Sequence, residues 1–81
     1  MDVMDEWLHG KKRLTAVEVR KLPIGTKVQL HGADRHGEHT TLDCVITQSG
    51  KHRVLSYTDY YGSRMTKRIQ DYPGKAYTVY E

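Results

Sequence analysis

The sequence predicts an α+β protein that is mostly β, in which short N-terminal helices precede a five-stranded antiparallel SH3-like barrel or roll. From about residue 27 onward, β-branched and aromatic residues alternate with polar ones in short runs, and turn residues divide the runs. Helical spacing is confined to the first 21 residues. A chain of 81 residues, 37% of them hydrophobic, is long enough for one small core. A closed barrel is favoured because an open sheet exposes its edges.

The first helix is predicted over about residues 2–8. Asp2 suits the N-cap position, and Gly10 suits the stop that follows the helix. A helix this short is unstable alone, so its apolar face must dock on the barrel or on a second copy of the chain. That face carries Met4, Trp7 and Leu8.

The second helix is predicted over about residues 16–21. Thr15 and Glu18 have the spacing of a capping box, in which each side chain binds a backbone N–H near the other. Pro23 ends the helix, because the residue before a proline avoids the α conformation. We therefore divide the chain into a helical extension, 1–22, and a small β-barrel, 23–81.

Five strands are predicted after Pro23. The clearest contains Leu42, Cys44 and Ile46 on one face, so that Cys44 points into the core. A hairpin turn is expected at Ser49–Gly50. The strand segments are "KVQLH", "TTLDCVITQ", "KHRVLSYTD", "RMTKRI" and "KAYTVYE".

The order of these segments resembles the SH3-like small barrels over about residues 22–81. "LPIGTKVQLHG" corresponds to the opening strand, and a longer loop and a meander follow. The chain has neither the ALYDY-like run nor the tandem tryptophans of signalling SH3 domains, so binding of proline-rich peptides is not implied. The resemblance to the broader class implies a module that binds nucleic acid or protein.

Composition narrows the function further. So small a core leaves no room for an enclosed active site, which predicts a non-enzymatic protein without a cofactor. One cysteine allows no intramolecular disulfide, and no apolar run has the length of a membrane span. The acidic start lacks a signal-peptide pattern, so we expect a cytoplasmic protein that does not bind membranes.

The leading functional hypothesis is nucleic-acid binding by tyrosine, arginine and lysine side chains. The chain has a formal net charge of +3, and basic side chains cluster after the residue pair Tyr60–Tyr61. Aromatic rings stack on bases, while basic groups contact phosphates. The alternative is that the tyrosines replace the absent phenylalanine in the core. The predicted binding residues are Tyr60, Tyr61, Arg64, Lys67, Arg68, Lys51 and Arg53.

The first alternative function is a protein-interaction or assembly module. In this interpretation the helix face of Met4, Trp7 and Leu8 docks on a protein partner or on a second copy in a homodimer. The basic side chains then only keep the domain soluble.

The second alternative is a metal-binding or enzymatic role for "HGADRHGEH", residues 31–39. Imidazole and carboxylate groups are zinc ligands, but the segment joins two strands and lacks the spacing of known metal motifs. A solvated hairpin loop is the simpler interpretation. If a metal binds here, we expect His31 and His39 to be its ligands, because they lie where the two strands begin and end.

Overall fold

The computed structural model of the protein describes the backbone of residues 3–80 and the side chains of residues 6–80. The mostly-β class with two short helices is confirmed. The cap expected at Asp2 lies outside the described residues, as does the side chain of Met4. The elements are α1 (Val3–Leu8), α2 (Ala16–Arg20), β1 (Lys27–Ala33), β2 (His39–Ser49), β3 (His52–Thr58), β4 (Arg64–Arg68) and β5 (Ala76–Val79).

The strands form one antiparallel sheet in the order β4-β3-β2-β1-β5. Strand β2 is long because it serves two neighbours. Its first part pairs with β1, from His39 opposite Ala33 to Val45 opposite Lys27, and its last part pairs with β3 from Val45 onward. Strands β4 and β5 are the outer strands of this sheet, which is therefore not closed within residues 3–80.

The core lies on the face of the sheet that α2 covers. Alternate residues of β2 and β3 point to this face, as the sequence predicts, and Val19 of α2 packs on them with no exposed surface. The segment that precedes α2 is tied to the outer strand β5, because the Leu14 N–H donates to the Tyr77 carbonyl at 2.9 Å. The buried cluster consists of Ala16, Val19, Val28, Leu30, Cys44, Ile46, Leu55, Ile69 and Tyr77.

Helix α2 begins with the capping box that the sequence predicts. The Glu18 N–H donates to Thr15 Oγ1 at 3.2 Å, and the Thr15 N–H donates to Glu18 Oε1 at 3.1 Å. The hydrogen bond from the Thr15 backbone and the Lys12 ammonium, 3.3 Å from the carboxylate, lower the pKa of Glu18. Local sequence thus determines where this helix starts.

The β1–β2 and β3–β4 hairpins have the same five-residue loop, which the pattern D-x-x-G-x encodes twice. In Asp34–Glu38 and in Asp59–Ser63, the aspartate carboxylate accepts the N–H groups two and four residues ahead, at 2.8 to 3.0 Å. Gly37 and Gly62 take the positive φ that closes each loop, 79° and 84°. Because β1 and β3 run in the same direction, both loops lie at the same end of the sheet.

The turn between β2 and β3 differs from the prediction by one residue. The expected turn pair was Ser49–Gly50, but Ser49 still pairs with His52 in the ladder. The turn pair is Gly50–Lys51, with a positive φ of 60° at Gly50. A two-residue hairpin with glycine first matches the twist of the strands, which explains the shift.

Candidate functional site

The most exposed aromatic side chains of the described residues are at the tip of the β3–β4 hairpin. Tyr60 is 96% exposed and Tyr61 is 88% exposed. Their rings meet edge to face, with centroids 5.4 Å apart. Because the pair lies beside Gly62, a turn residue, the sequence predicts that it is the exposed pair of tyrosines, and the structure agrees. Since neither ring is buried, the free faces of both are accessible to a planar ligand.

Of the other tyrosines, three pack in or against the core. Tyr77 is buried and donates its hydroxyl to the Gln70 carbonyl at 2.7 Å. Burial raises its pKa to about 12. Tyr57 and Tyr72 are half-buried against the same core, whereas Tyr80 is 43% exposed. The chain therefore uses tyrosine in two ways, and the hairpin pair is by far the more exposed of its exposed tyrosines.

Basic side chains extend from this pair along β4. Arg64 and Arg68 lie on the same face, opposite Thr58 and Val54 of β3, and both are exposed. Four residues of a strand span about 13 Å, so the two guanidinium groups mark the two ends of β4. Arg64 is next to the tyrosine loop, and Arg68 is at the opposite end of the sheet.

A groove of about 650 Å³ begins where β4 ends. Three of the predicted binding residues, Arg53, Lys67 and Arg68, line it together. The other polar lining residues are Arg20 of α2, Ser49, His52 and Thr66, and no carboxylate among the described side chains lines the groove. The groove is therefore a concave and basic surface. Lys51, in the turn before His52, is exposed beside it.

Several of the groove's basic groups are already held by the protein. The Arg53 Nη1 donates to the carbonyls of Arg20 and Leu22, and Arg20 Nη2 donates to the Ile69 carbonyl. Lys67 Nζ lies 4.6 Å from the centroid of the Tyr72 ring, a cation–π contact. These contacts fix the charges in position before any ligand arrives. Arg20, Arg53 and Lys67 are thus engaged by the protein, whereas the exposed Arg68 guanidinium is the most accessible cation of the groove.

Sequence reasoning missed Arg20 and His52 as groove residues. Arg20 is near the end of a helix and His52 follows a turn, so neither is close in sequence to the Tyr60–Arg68 segment. Only the packing of α2 beside β3 and β4 brings Arg20 to the groove. No local pattern signals that contact.

The structure also brings His31 and His39 together, on the face of the sheet away from the core, which is also the face of Arg64 and Arg68. His31 is buried to 3% exposure, and His39 is half-buried. Their strand partners are Thr41 and Ala33, so the two histidines are diagonal neighbours. His31 Nδ1 is 3.0 Å from His39 Nε2, and the near-parallel rings meet edge to edge. On its other side, His31 Nε2 is 2.8 Å from Thr78 Oγ1.

Basic side chains surround His31. Burial is the main cause that lowers the pKa of His31, and His39, Lys11 and His9 lower it further. Among residues 6–80, no group of three or more histidine, cysteine or carboxylate side chains is arranged to hold a metal ion. Both ring nitrogens of His31 already have partners within the protein.

Trp7 and Leu8, the two described side chains of the helix face in the assembly hypothesis, pack inside the same chain. Leu8 is buried against Ala76 of β5, and the Trp7 ring stacks on His39, with centroids 4.8 Å apart and planes 4° from parallel. Helix α1 therefore covers the imidazole pair. No helix in the described part of the chain is long and apolar enough to cross a membrane.

Comparison of the chain with models of protein families, with curated proteins and with solved structures gives no match.

Proposed function

We propose that the protein is a non-enzymatic module that binds nucleic acid through unpaired bases and their phosphates. The observation that carries the proposal is the basic groove at one end of β4, together with the exposed tyrosine pair in the loop at the other end of that strand. Arg64, Arg68 and Lys67 come from this one strand. A ligand that lies along β4 would meet aromatic faces at one end and fixed cations at the other.

Charge supports an anionic ligand. Each phosphate that a lysine or arginine neutralises releases a counterion, which makes binding favourable at low salt. The groove is lined by Arg20, Arg53, Lys67 and Arg68, and no described carboxylate in its lining competes for them. An acidic peptide could pair with the same basic groups, but its carboxylates would not account for the two exposed tyrosine rings.

The tyrosine pair favours single strands over duplexes. Stacking needs a base whose face is free, and in a duplex the bases cover one another. Tyr60 and Tyr61 stand at a hairpin tip that Asp59 holds rigid, so stacking would not cost much ordering of the loop. Other small β-barrels present aromatic residues to single strands in the same general way.

We also propose that the sheet belongs to the SH3-like class of small barrels. Strand β5 lies outside β1, β2 is shared between two neighbours, and β2 to β4 form a meander. This arrangement supports the resemblance seen in the sequence. The class accommodates many functions, so the site and not the fold carries the functional proposal.

The direct test is the salt dependence of binding to a labelled single-stranded oligonucleotide of about 16 nucleotides, a length that covers one small-barrel site. We expect affinity to fall steeply between about 50 and 200 mM salt. Arg64→Ala and Arg68→Ala should each weaken binding and reduce the salt slope by about 1.

Arg35→Ala is the matched control for these variants. Arg35 is also exposed, but it lies on the tip of the other hairpin, away from the groove. It should bind nearly as the unmodified protein does. Absence of binding to single- and double-stranded DNA and RNA at low salt would overturn the proposal, and so would equal losses for Arg35→Ala and Arg68→Ala.

A further inference from the structure

We propose that protonation of the imidazole pair of His31 and His39 controls the docking of helix α1 on the sheet. The helix stays docked when the pair carries at most one extra proton, and it is released when the pair carries two. The proposal is independent of nucleic-acid binding. It rests on the hydrogen-bond geometry of the pair and on the stacking of Trp7 over His39.

The contact between the two rings has room for one hydrogen. A neutral imidazole has one N–H donor and one acceptor nitrogen, while a protonated imidazole has two donors and no acceptor. The 3.0 Å contact between His31 Nδ1 and His39 Nε2 therefore requires that one of the two rings be neutral. If both rings carry a charge, two N–H groups point at each other and the contact must open.

The contact accommodates one extra proton, because a neutral His31 ring can still accept a hydrogen bond from a charged His39 ring. That ring is half-buried and stacks on Trp7, and a cation over an indole face is stabilised. His39 then donates from Nε2 to His31 Nδ1, and the neutral His31 donates from Nε2 to Thr78 Oγ1, 2.8 Å away. All the contacts of the docked state are kept in this form.

The second proton is not accommodated. It must enter His31, which is 3% exposed. Among the side chains of residues 6–80, the titratable groups that face His31 are cationic or become so. These groups are His39 on β2 and His9 and Lys11 in the segment that follows α1, while β5 contributes the uncharged Ala76 and Thr78. Burial and these charges lower the pKa of His31 in the docked state.

Opening the pair releases the helix because, among the described side chains of α1, few contact the sheet. The helix has six residues, too few for a stable isolated helix in water. Its described contacts with the sheet are Leu8 against Ala76 and Trp7 against His39. When His39 turns away from a charged His31, the Trp7 stack is lost with it.

The direction of the pH effect follows from linkage. A histidine whose pKa is lowered in the docked state favours docking above the ordinary imidazole pKa of about 6.5, and this contribution is lost as the pH falls below that value. We therefore expect α1 to be docked at neutral pH and released in mildly acidic solution, while the core on the opposite face of the sheet stays folded.

Trp7 is the only tryptophan of the chain and reports directly on docking. The test measures acrylamide quenching of Trp7 fluorescence in the full chain from about pH 7.5 to about pH 5. Amide NMR of core residues such as Ile46 and Leu55 follows the fold in parallel. We expect the quenching constant to rise several-fold below the imidazole pKa, with the core resonances unchanged.

His39→Gln removes one of the two charges, so its quenching constant, relative to its own value at neutral pH, should stay nearly flat. His36→Gln removes an exposed imidazole from the hairpin tip and should keep the transition. NMR titration of the His31 and His39 rings in the unmodified chain provides a readout that needs no variant. Three results would each overturn the proposal. They are quenching that does not change with pH, a transition that is retained in His39→Gln, and unfolding of the core at the same pH as the release of Trp7.

Discussion

Arg53 of β3 donates from one guanidinium nitrogen to the carbonyl oxygens of Arg20 and Leu22, at 2.6 and 2.8 Å. These carbonyls lie at the end of α2, where a helix leaves its last carbonyl groups without backbone donors. Arg53, which the sequence suggests as a ligand contact, therefore also fastens α2 to the sheet through these hydrogen bonds. It joins two segments that are about 30 residues apart in the chain.

We predict that Arg53→Ala lowers the free energy of unfolding by roughly 1.5–3 kcal/mol, the range for hydrogen bonds that involve a charged group. Denaturant unfolding of the variant measures this loss. Arg68→Ala is the control, because Arg68 is exposed, and it should change stability little. If Arg53→Ala weakened oligonucleotide binding at unchanged stability, the fastening role would be refuted.

A second prediction concerns the tyrosine pair. Tyr60→Ala and Tyr61→Ala should each weaken binding of a single strand by about 1–3 kcal/mol, the usual contribution of a ring that stacks on a base. Their stability should be unchanged, since both rings are almost fully exposed. Titrations with single-stranded and duplex oligonucleotides of one sequence make the measurement.

Phenylalanine variants sharpen this prediction. Tyr60→Phe and Tyr61→Phe keep the ring and remove the hydroxyl, so they should bind almost as well as the unmodified chain. A large loss in the phenylalanine variants would show that the hydroxyl groups, and not the ring faces, contact the ligand. Equal losses for duplex and single strand would contradict stacking on free bases.

The two hairpin loops lead to a third prediction. Asp34 and Asp59 each accept two backbone N–H groups with the same geometry, so Asp34→Ala and Asp59→Ala should destabilise the protein by similar amounts, about 1 kcal/mol. Thermal unfolding compares them. Only Asp59→Ala should also weaken nucleic-acid binding, because only its loop carries the tyrosine pair.

Asn variants serve as controls, since an asparagine side chain keeps an acceptor oxygen and is favoured in the same turns. Asp34→Asn and Asp59→Asn should retain most of the stability. Should the alanine variants unfold at the same temperature as the unmodified chain, the carboxylate contacts would have no part in holding the loops.

A fourth prediction uses Cys44, whose side chain is buried in the core. Burial raises the pKa of its thiol to about 11, so little thiolate is present at neutral pH. A thiol reagent should label the folded protein slowly and label the chain in denaturant rapidly. The labelling rate thus reports the opening of the core. Rapid labelling under native conditions would show that β2 is more accessible than its packing indicates.

Much of the fold could be predicted because its helices and strands depend on patterns of neighbouring residues. The capping box of Thr15 and Glu18 involves neighbours in sequence, and the alternation along β2 follows from the two-residue period of a strand. The exposed pair Tyr60–Tyr61 follows from its place beside a turn glycine. The turn at Gly50–Lys51 shows the limit of such reasoning, since a shift of one residue leaves the pattern almost the same.

The candidate sites were less predictable because they depend on distant contacts. The packing of α2 beside β3 and β4 decides that Arg20 shares the groove, and so Arg20 gave no signal in the sequence. His52 was missed although it lies between the predicted residues Lys51 and Arg53. The His31 and His39 contact was suggested by their places at the ends of two strands. The sequence did not suggest that Trp7 of α1 stacks on His39 or that Thr78 of β5 binds His31.

The sequence by itself determined the elements and their order: the capping box of α2, the strand periodicity and the two aspartate–glycine hairpin loops are all short-range features. Only the tertiary structure decided how a basic groove forms at one end of β4 and how an imidazole pair comes to lie under α1. The physical reason is the range of the interactions. Backbone conformation and the alternation of faces depend on a few neighbouring residues, whereas a groove or a buried pair depends on which surfaces exclude water from each other.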